Sequence, residues 1–185
     1  MINNINKNYI IRKAVWDDFM SIHNILFTTW LDTYPNKEFN ITKEDIEFNF
    51  QQKLLPEEIA KAKIKNYESE NLSNISRLIL EFSNIPVGFC RSEEKENHNQ
   101  LQAIYVLPKY HGMGFGYALW QEAKKIFNPK KDTIVHVASY NQKAINFYEK
   151  LGFKSTGKIF FDEKHKMRNG AMIPELEMVI ENNKF

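Results

Sequence analysis

The 185-residue sequence predicts an α/β (α+β) chain, with a mixed, mostly antiparallel sheet of six to seven strands flanked by about four helices. Three observations carry this. From Ser76 onward, short runs rich in β-branched and aromatic residues alternate with turn residues, as strands do. Before Ser76, apolar side chains recur at three-to-four spacing, as in amphipathic helices, and two further stretches of that kind interrupt the strands. Composition is that of a folded core, 43% hydrophobic and 26% charged, without internal repeat or linker, so residues 1–185 are expected to form a single domain behind a flexible polar tail at 1–8.

Taken in order, IIRKAV reads as a strand. In WDDFMSIHNILFTTWLDTY, the side chains of Phe19, Ile22, Leu26, Trp30 and Tyr34 share one helical face. Asp17 and Asp18 suit the positive N-terminal end, and Pro35 stops the helix. ITKEDIEF opens a second helix with Thr42 and Asp45 spaced as a capping box, and helical periodicity resumes from Pro56 toward Tyr67. RLILEF and VGFCR form a hairpin with Asn84 and Pro86 as turn residues, followed by the polar loop SEEKENHNQ. LQAIYVL is a strand ended by Pro108, and GYALWQEAKKIF a helix with Leu119, Ala123, Ile126 and Phe127 on one face. DTIVHVAS is a strand, and NQKAINFYEKLGF a short helix closed by Gly152. KSTGKIFF and IPELEMVIE are the closing strands, separated by a charged loop from Lys164 to Gly170.

Charge and cysteine content narrow the function. The single cysteine, Cys90, supports neither an internal disulfide nor a cysteine zinc cluster, and no apolar run approaches the roughly 20 residues of a membrane span. The polar start MINNINKNYI has no signal-peptide core, so a cytoplasmic protein is expected. A net charge of +2 is too mild for a nucleic-acid footprint, and no helix-turn-helix pattern is present. The charge is unevenly spread: between Trp16 and Glu58 nine acidic residues face three lysines, a local balance of −6.

The stretch YVLPKYHGMGFGYALW is a strand, a proline break and three alternate glycines opening a helix. Glycines permit close backbone approach, and unpaired N–H groups at a helix start bind phosphate. The spacing is not the dinucleotide G-x-G-x-x-G. GFKSTGK at Gly152–Lys158 fails as a P-loop, because Ile159 replaces the hydroxyl residue that holds magnesium and a helix precedes it. No H-E-x-x-H occurs among the five histidines, and no metal is expected.

With the strand and helix that follow, this turn resembles the GNAT family of N-acetyltransferases. His111, Gly114 and Gly116 fall on the family's Gln/Arg-x-x-Gly-x-Gly/Ala positions, with histidine where glutamine or arginine is usual. Asn141, Ala144, Phe147, Tyr148, Gly152 and Phe153 match the whole of its N-x-x-A-x-x-F-Y-x-x-x-G-F element. The resemblance spans roughly Arg77 to Ile180 and implies a GNAT fold and acetyl-CoA as cofactor. It also implies a pantetheine arm alongside Ile104, Tyr105 and Val106, and a pyrophosphate on the N–H groups of His111, Gly112, Met113, Gly114, Phe115, Gly116 and Tyr117. Asn141 and Phe147 would touch the cofactor arm, Asn141 doubling as a helix cap. Lys109, Lys124 and Lys143 are candidate phosphate partners, although such lysines are often simply solvated.

Acetyl transfer to an amine needs a base, an oxyanion donor and an acid. The resemblance assigns the donor to the Val106 N–H and the acid to Tyr148. Where family members often carry a glutamate, the strand QLQAIYV has Gln100 and Gln102, leaving Glu81 through water, His136, or bulk water as the base. TTWLDTYP, with Trp30 and Tyr34, resembles a segment of polyamine and ribosomal-protein acetyltransferases, and reads equally well as a core stripe. Together with the acidic stretch it points to a polyamine or other small amine as acceptor, then to a protein N-terminal or lysine amine. A CoA-binding regulatory module without turnover is the rival reading. The resemblance also implies homodimerisation through the C-terminal strands.

Overall fold

A computed structural model describes residues 8–70 and 72–182. The tail expected at 1–8 therefore lies, for residues 1–7, outside the described residues. The strands are β1 (Tyr9–Lys13), β2 (Ile75–Phe82), β3 (Ile85–Glu94), β4 (Asn99–Val106), β5 (Thr133–Ala138), β6 (Lys154–Phe161) and β7 (Pro174–Ile180). The helices among the described residues are α1 (Phe19–Thr33), α2 (Lys43–Gln52), α3 (Pro56–Glu70), α4 (Phe115–Ala123) and α5 (Gln142–Lys150), five where about four were expected. Among the described residues, no helix is long and apolar enough to cross a membrane.

The strands form one sheet in the order β1-β2-β3-β4-β5-β7-β6, parallel at β4–β5 and antiparallel elsewhere. Helices cover both faces, so the central strands are apolar on both sides. In β2, Leu78 and Leu80 join the core under α4 and α5, with Leu119, Val135 and Met178, while Ile79 turns to the face covered by α1, with Ile22, Ile25 and Phe89. A third cluster, Trp30, Ile46 and Phe50, seats α2 on α1. Of the expected capping box one half is formed: Thr42 Oγ1 accepts from the Asp45 N–H at 3.1 Å, while Asp45 Oδ2 accepts from the Thr42 hydroxyl at 2.7 Å rather than from the Thr42 backbone N–H.

Local departures from expectation have physical causes. The hairpin turn is Ser83–Asn84, with φ of 52° and 61°, as a two-residue turn matched to strand twist requires. Pro86 instead lies inside β3, opposite Glu81 where the register shifts. The polar loop shrinks to Lys95–His98, because β3 runs to Glu94 and β4 begins at Asn99. The Asn99 amide, fully buried, donates to the carbonyls of Asn128 and Lys131 and accepts from the Asn128 N–H, tying the approach to β5 against β4.

One irregularity positions everything that follows. Opposite β3, Arg91 pairs with Ala103 and Ser92 with Leu101, so Gln102 is the extra residue of a bulge in β4. A bulge bends its strand. Parallel pairing of β4 with β5 accordingly stops after Asn99, Gln100 and Leu101, opposite Thr133, Ile134 and Val135. Beyond that point the two strands diverge.

Candidate active site

The divergence opens a cleft of about 480 Å³. One wall is β4 from Gln102 to Val106, and the others are the glycine turn, the start of α4, the inner face of α5 and the end of α1. The Leu107 N–H donates to Val87 O at 2.9 Å. Amide groups alternate along an antiparallel strand, so those of Ile104 and Val106 point away from β3, into the gap.

The glycine turn follows a single 3-10 turn at Pro108–Tyr110. Gly112 and Gly114 have φ of 81° and 80°, which L side chains rarely adopt, and Gly114 caps α4 in that conformation. At Gly116 space is tight: a Cβ there would stand 3.2 Å from Phe147 Cζ. Among the described residues, no acceptor pairs with the N–H groups from Gly112 to Tyr117. This strip of unspent donors at a helix start, bordering a cleft, suits a diphosphate. His111 spans the mouth, its Nε2 donating to Val106 O at 2.7 Å while its Nδ1 meets Lys143 Nζ at 2.7 Å.

From α5, Phe147 and Tyr148 face the cleft. Asn141 lines it as well, with its Oδ1 capping α5 through the Ala144 N–H at 3.1 Å. The Tyr148 ring packs against Phe147 and Phe153 at centroid distances of 5.3 and 5.6 Å, and its hydroxyl makes no hydrogen bond to a described residue. Burial, helped by Tyr105 and Cys90, pushes this phenol well above its ordinary value, so it stays protonated.

At the far end, the Tyr34 and Tyr105 hydroxyls meet at 3.1 Å, and the Tyr140 hydroxyl donates to Tyr34 O at 2.9 Å. His136 of β5 lies between two β7 carboxylates, 3.9 Å from Glu175 and 3.7 Å from Glu177. Burial lowers its pKa below the ordinary imidazole value, and the two glutamates oppose that shift without overcoming it. The same Glu175 reaches His165 at 3.3 Å.

Several expected residues lie elsewhere. Glu81 is two strands from β4, with its Oε1 accepting from Arg12 Nε at 2.9 Å, and Arg12 also clamps Asp18. It does not line the cleft. Trp30 is 8% exposed and packs with Ile46 and Phe50, so of the aromatic pair only Tyr34 reaches the cleft. Met113 packs against the main core, and neither Lys109 nor Lys124 borders the cleft, whereas Lys143 does. Asp32, Gln102 and Lys150 line it without having been expected, and Glu175 and Glu177 join its His136 edge. Antiparallel pairing sets Glu177 opposite His136, a proximity that no sequence spacing announces.

The sheet thus parts beside a turn whose N–H groups from Gly112 to Tyr117 meet no acceptor among the described residues, and a protonated tyrosine faces the gap. The chain belongs to the Acetyltransferase (GNAT) family, whose sequence profile matches residues 19–153. Among solved structures it is similar to the PaiA N-acetyltransferase of Thermoplasma acidophilum, determined in complex with coenzyme A. The two are 24% identical, with a TM-score of 0.67 over 91% of this chain and 98% of that one. It is similar also to the spermidine/spermine N-acetyltransferase SpeG of Vibrio cholerae, at 20% identity and a TM-score of 0.62 over 97% and 95% of the two chains. At these identities the likeness shows a shared fold. The Bacillus subtilis (strain 168) protein YrkN is 33% identical over 95 residues, so the match spans about half of either chain, 49% of each.

Proposed function

We propose that this cleft transfers the acetyl group of acetyl-CoA to a primary amine, with a polyamine or other small cationic amine as acceptor. The observation that carries the proposal is the convergence on one cleft of the N–H groups of Gly112–Tyr117 and the hydroxyl of Tyr148, none of which is hydrogen-bonded to a described residue. Acetyl-CoA supplies an activated thioester. The N–H strip holds the diphosphate, the gap-facing amides of Ile104 and Val106 take the pantetheine arm as an added strand, and Phe147 packs beside it. The Val106 N–H donates to the oxyanion that develops as the amine attacks. Tyr148 gives its proton to the departing sulfur. His136, neutral at pH 7 because burial lowers its pKa, accepts the proton of the attacking amine.

Acceptor charge follows from the same end of the cleft. Asp32 lines it, and Glu175 and Glu177 flank His136. Carboxylates at a cleft concentrate cations. The fold likeness to a spermidine/spermine acetyltransferase agrees with this choice.

Calorimetry with CoA, followed by thiol release from acetyl-CoA with spermidine, a lysine peptide, an N-terminal alanine peptide or no amine, tests the reading. CoA is expected to bind and spermidine to give the largest stimulation. Absence of CoA binding ends the enzymatic reading, binding without amine-stimulated release leaves a regulatory module, and preference for a peptide moves the acceptor to protein.

A further inference from the structure

The histidine at position 111 stands where glutamine or arginine is usual, and its surroundings show what replaces them. A carbonyl oxygen only accepts and an ammonium only donates. With Val106 O 2.7 Å from Nε2 and Lys143 Nζ 2.7 Å from Nδ1, the ring must carry its hydrogen on Nε2 and be neutral. The imidazole therefore brings no charge to the turn. Lys143 does, reaching in from the first turn of α5. Both residues line the cleft, and among the described residues no carboxylate pairs with Lys143. One of its three N–H groups is spent on His111, and two remain.

We infer that Lys143 is a phosphate-binding residue for acyl-CoA and that His111 is its positioning residue, the pair dividing between two elements the charge and the fork that one arginine would supply. The inference rests on reading the cleft as a CoA site. The His111 ring bridges the end of β4 to α5 and holds a flexible ammonium beside the N–H strip. A free lysine would lose rotamer entropy on binding phosphate, and one already tethered loses less. At the acceptor end Asp32 lines the cleft and Glu175 lies 3.9 Å behind the His136 that lines it, a charge of opposite sign to Lys143.

The test compares kcat/KM for acetyl-CoA with that for S-acetylpantetheine, which has no phosphate, in wild type, Lys143→Met, His111→Ala and the double variant His111→Arg/Lys143→Met. The ratio of the two donors cancels differences in the amount of folded enzyme. Lys143→Met is expected to reduce the ratio about tenfold or more, the scale of a charge-assisted hydrogen bond, and His111→Ala about threefold. Arginine at 111 in the Lys143→Met background is expected to restore the ratio to within about threefold of wild type. An unchanged ratio in Lys143→Met, equal losses with both donors, or no recovery with arginine overturns the inference. Calorimetry of wild type with CoA separates the two levels: wild type that binds CoA while Lys143→Met keeps its ratio sinks only the lysine, whereas wild type that fails to bind CoA sinks the cleft reading itself.

Discussion

Replacing Tyr148 by phenylalanine isolates the proton transfer to the leaving sulfur. The hydroxyl makes no hydrogen bond to a described residue, so its removal orphans no partner, and the ring keeps its packing against Phe147 and Phe153. Stability should change by less than about 1 kcal/mol, which for a chain of this length is a melting shift within about 2–4 °C. A positioned general acid contributes about 10²–10⁴ in rate, that is about 3–5 kcal/mol of barrier, so kcat should fall at least about a hundredfold. The dissociation constant for CoA should hold. Thiol release measured with acetyl-CoA and with an acetyl aryl thioester, whose acidic thiol departs as the anion, gives the discriminating comparison. The loss should be large for the first donor and small for the second. Equal losses with both donors, or an unchanged kcat with acetyl-CoA, would refute the assignment.

Other expectations follow from the same geometry. His136→Asn should lower kcat/KM and remove an acid limb expected of wild type below pH 6.5, the side of the ordinary imidazole value to which burial moves His136; a limb of the same midpoint in the variant would assign the base elsewhere. Gly116→Ala sets a Cβ 3.2 Å from Phe147 Cζ, so the Phe147 ring must give by a few tenths of an ångström, and CoA affinity should drop while the helix-propensity gain of about 1 kcal/mol largely offsets the crowding in melting temperature; unchanged CoA affinity by calorimetry would separate Phe147 from the cofactor arm. Burial raises Tyr34, Tyr105 and Tyr148 and pushes Tyr140 up to about 12, so the native state holds protons that the unfolded chain releases above about pH 10. Stability contributed by these groups is full below pH 10 and lost as pH rises beyond it, visible as falling urea midpoints, and Tyr140→Phe should lessen the fall between pH 10 and 12. At the hairpin, Asn84 has φ of 61°, and Asn84→Gly should stabilise by about 0.5 kcal/mol in the same urea assay.

How much of this was legible in the chain differs by element. Local chemistry was: Thr42 capping α2 through the Asp45 N–H, the glycines at positive φ after Pro108, and Asn141 capping α5 each act within a few residues. Side-chain partnership across the sheet was not. Glu81 offered a carboxylate on a plausible strand, but β1 pairs with β2 and delivers Arg12 to it. Trp30 and Tyr34 lie one helical turn apart, yet Trp30 is covered by α2 and Tyr34 is left to the cleft, a distinction set by where Phe50 packs. The carboxylates beside His136 come from β7, which inserts between β5 and β6 out of chain order. Gln102, passed over as a missing base, is instead the bulge residue that parts β4 from β5.

That bulge has a mechanical consequence. Within the sheet, three residue pairs and the side chain of Asn99 join two leaves, β1 to β4 on one side and β5, β7 and β6 on the other, which the core under α4 and α5 also holds together. A ligand arm entering as an extra strand would be a keystone, lacing the leaves along the length that the protein leaves unstitched. Affinity for such an arm would then add directly to the cohesion of the sheet, and the protein should be sturdier with it in place.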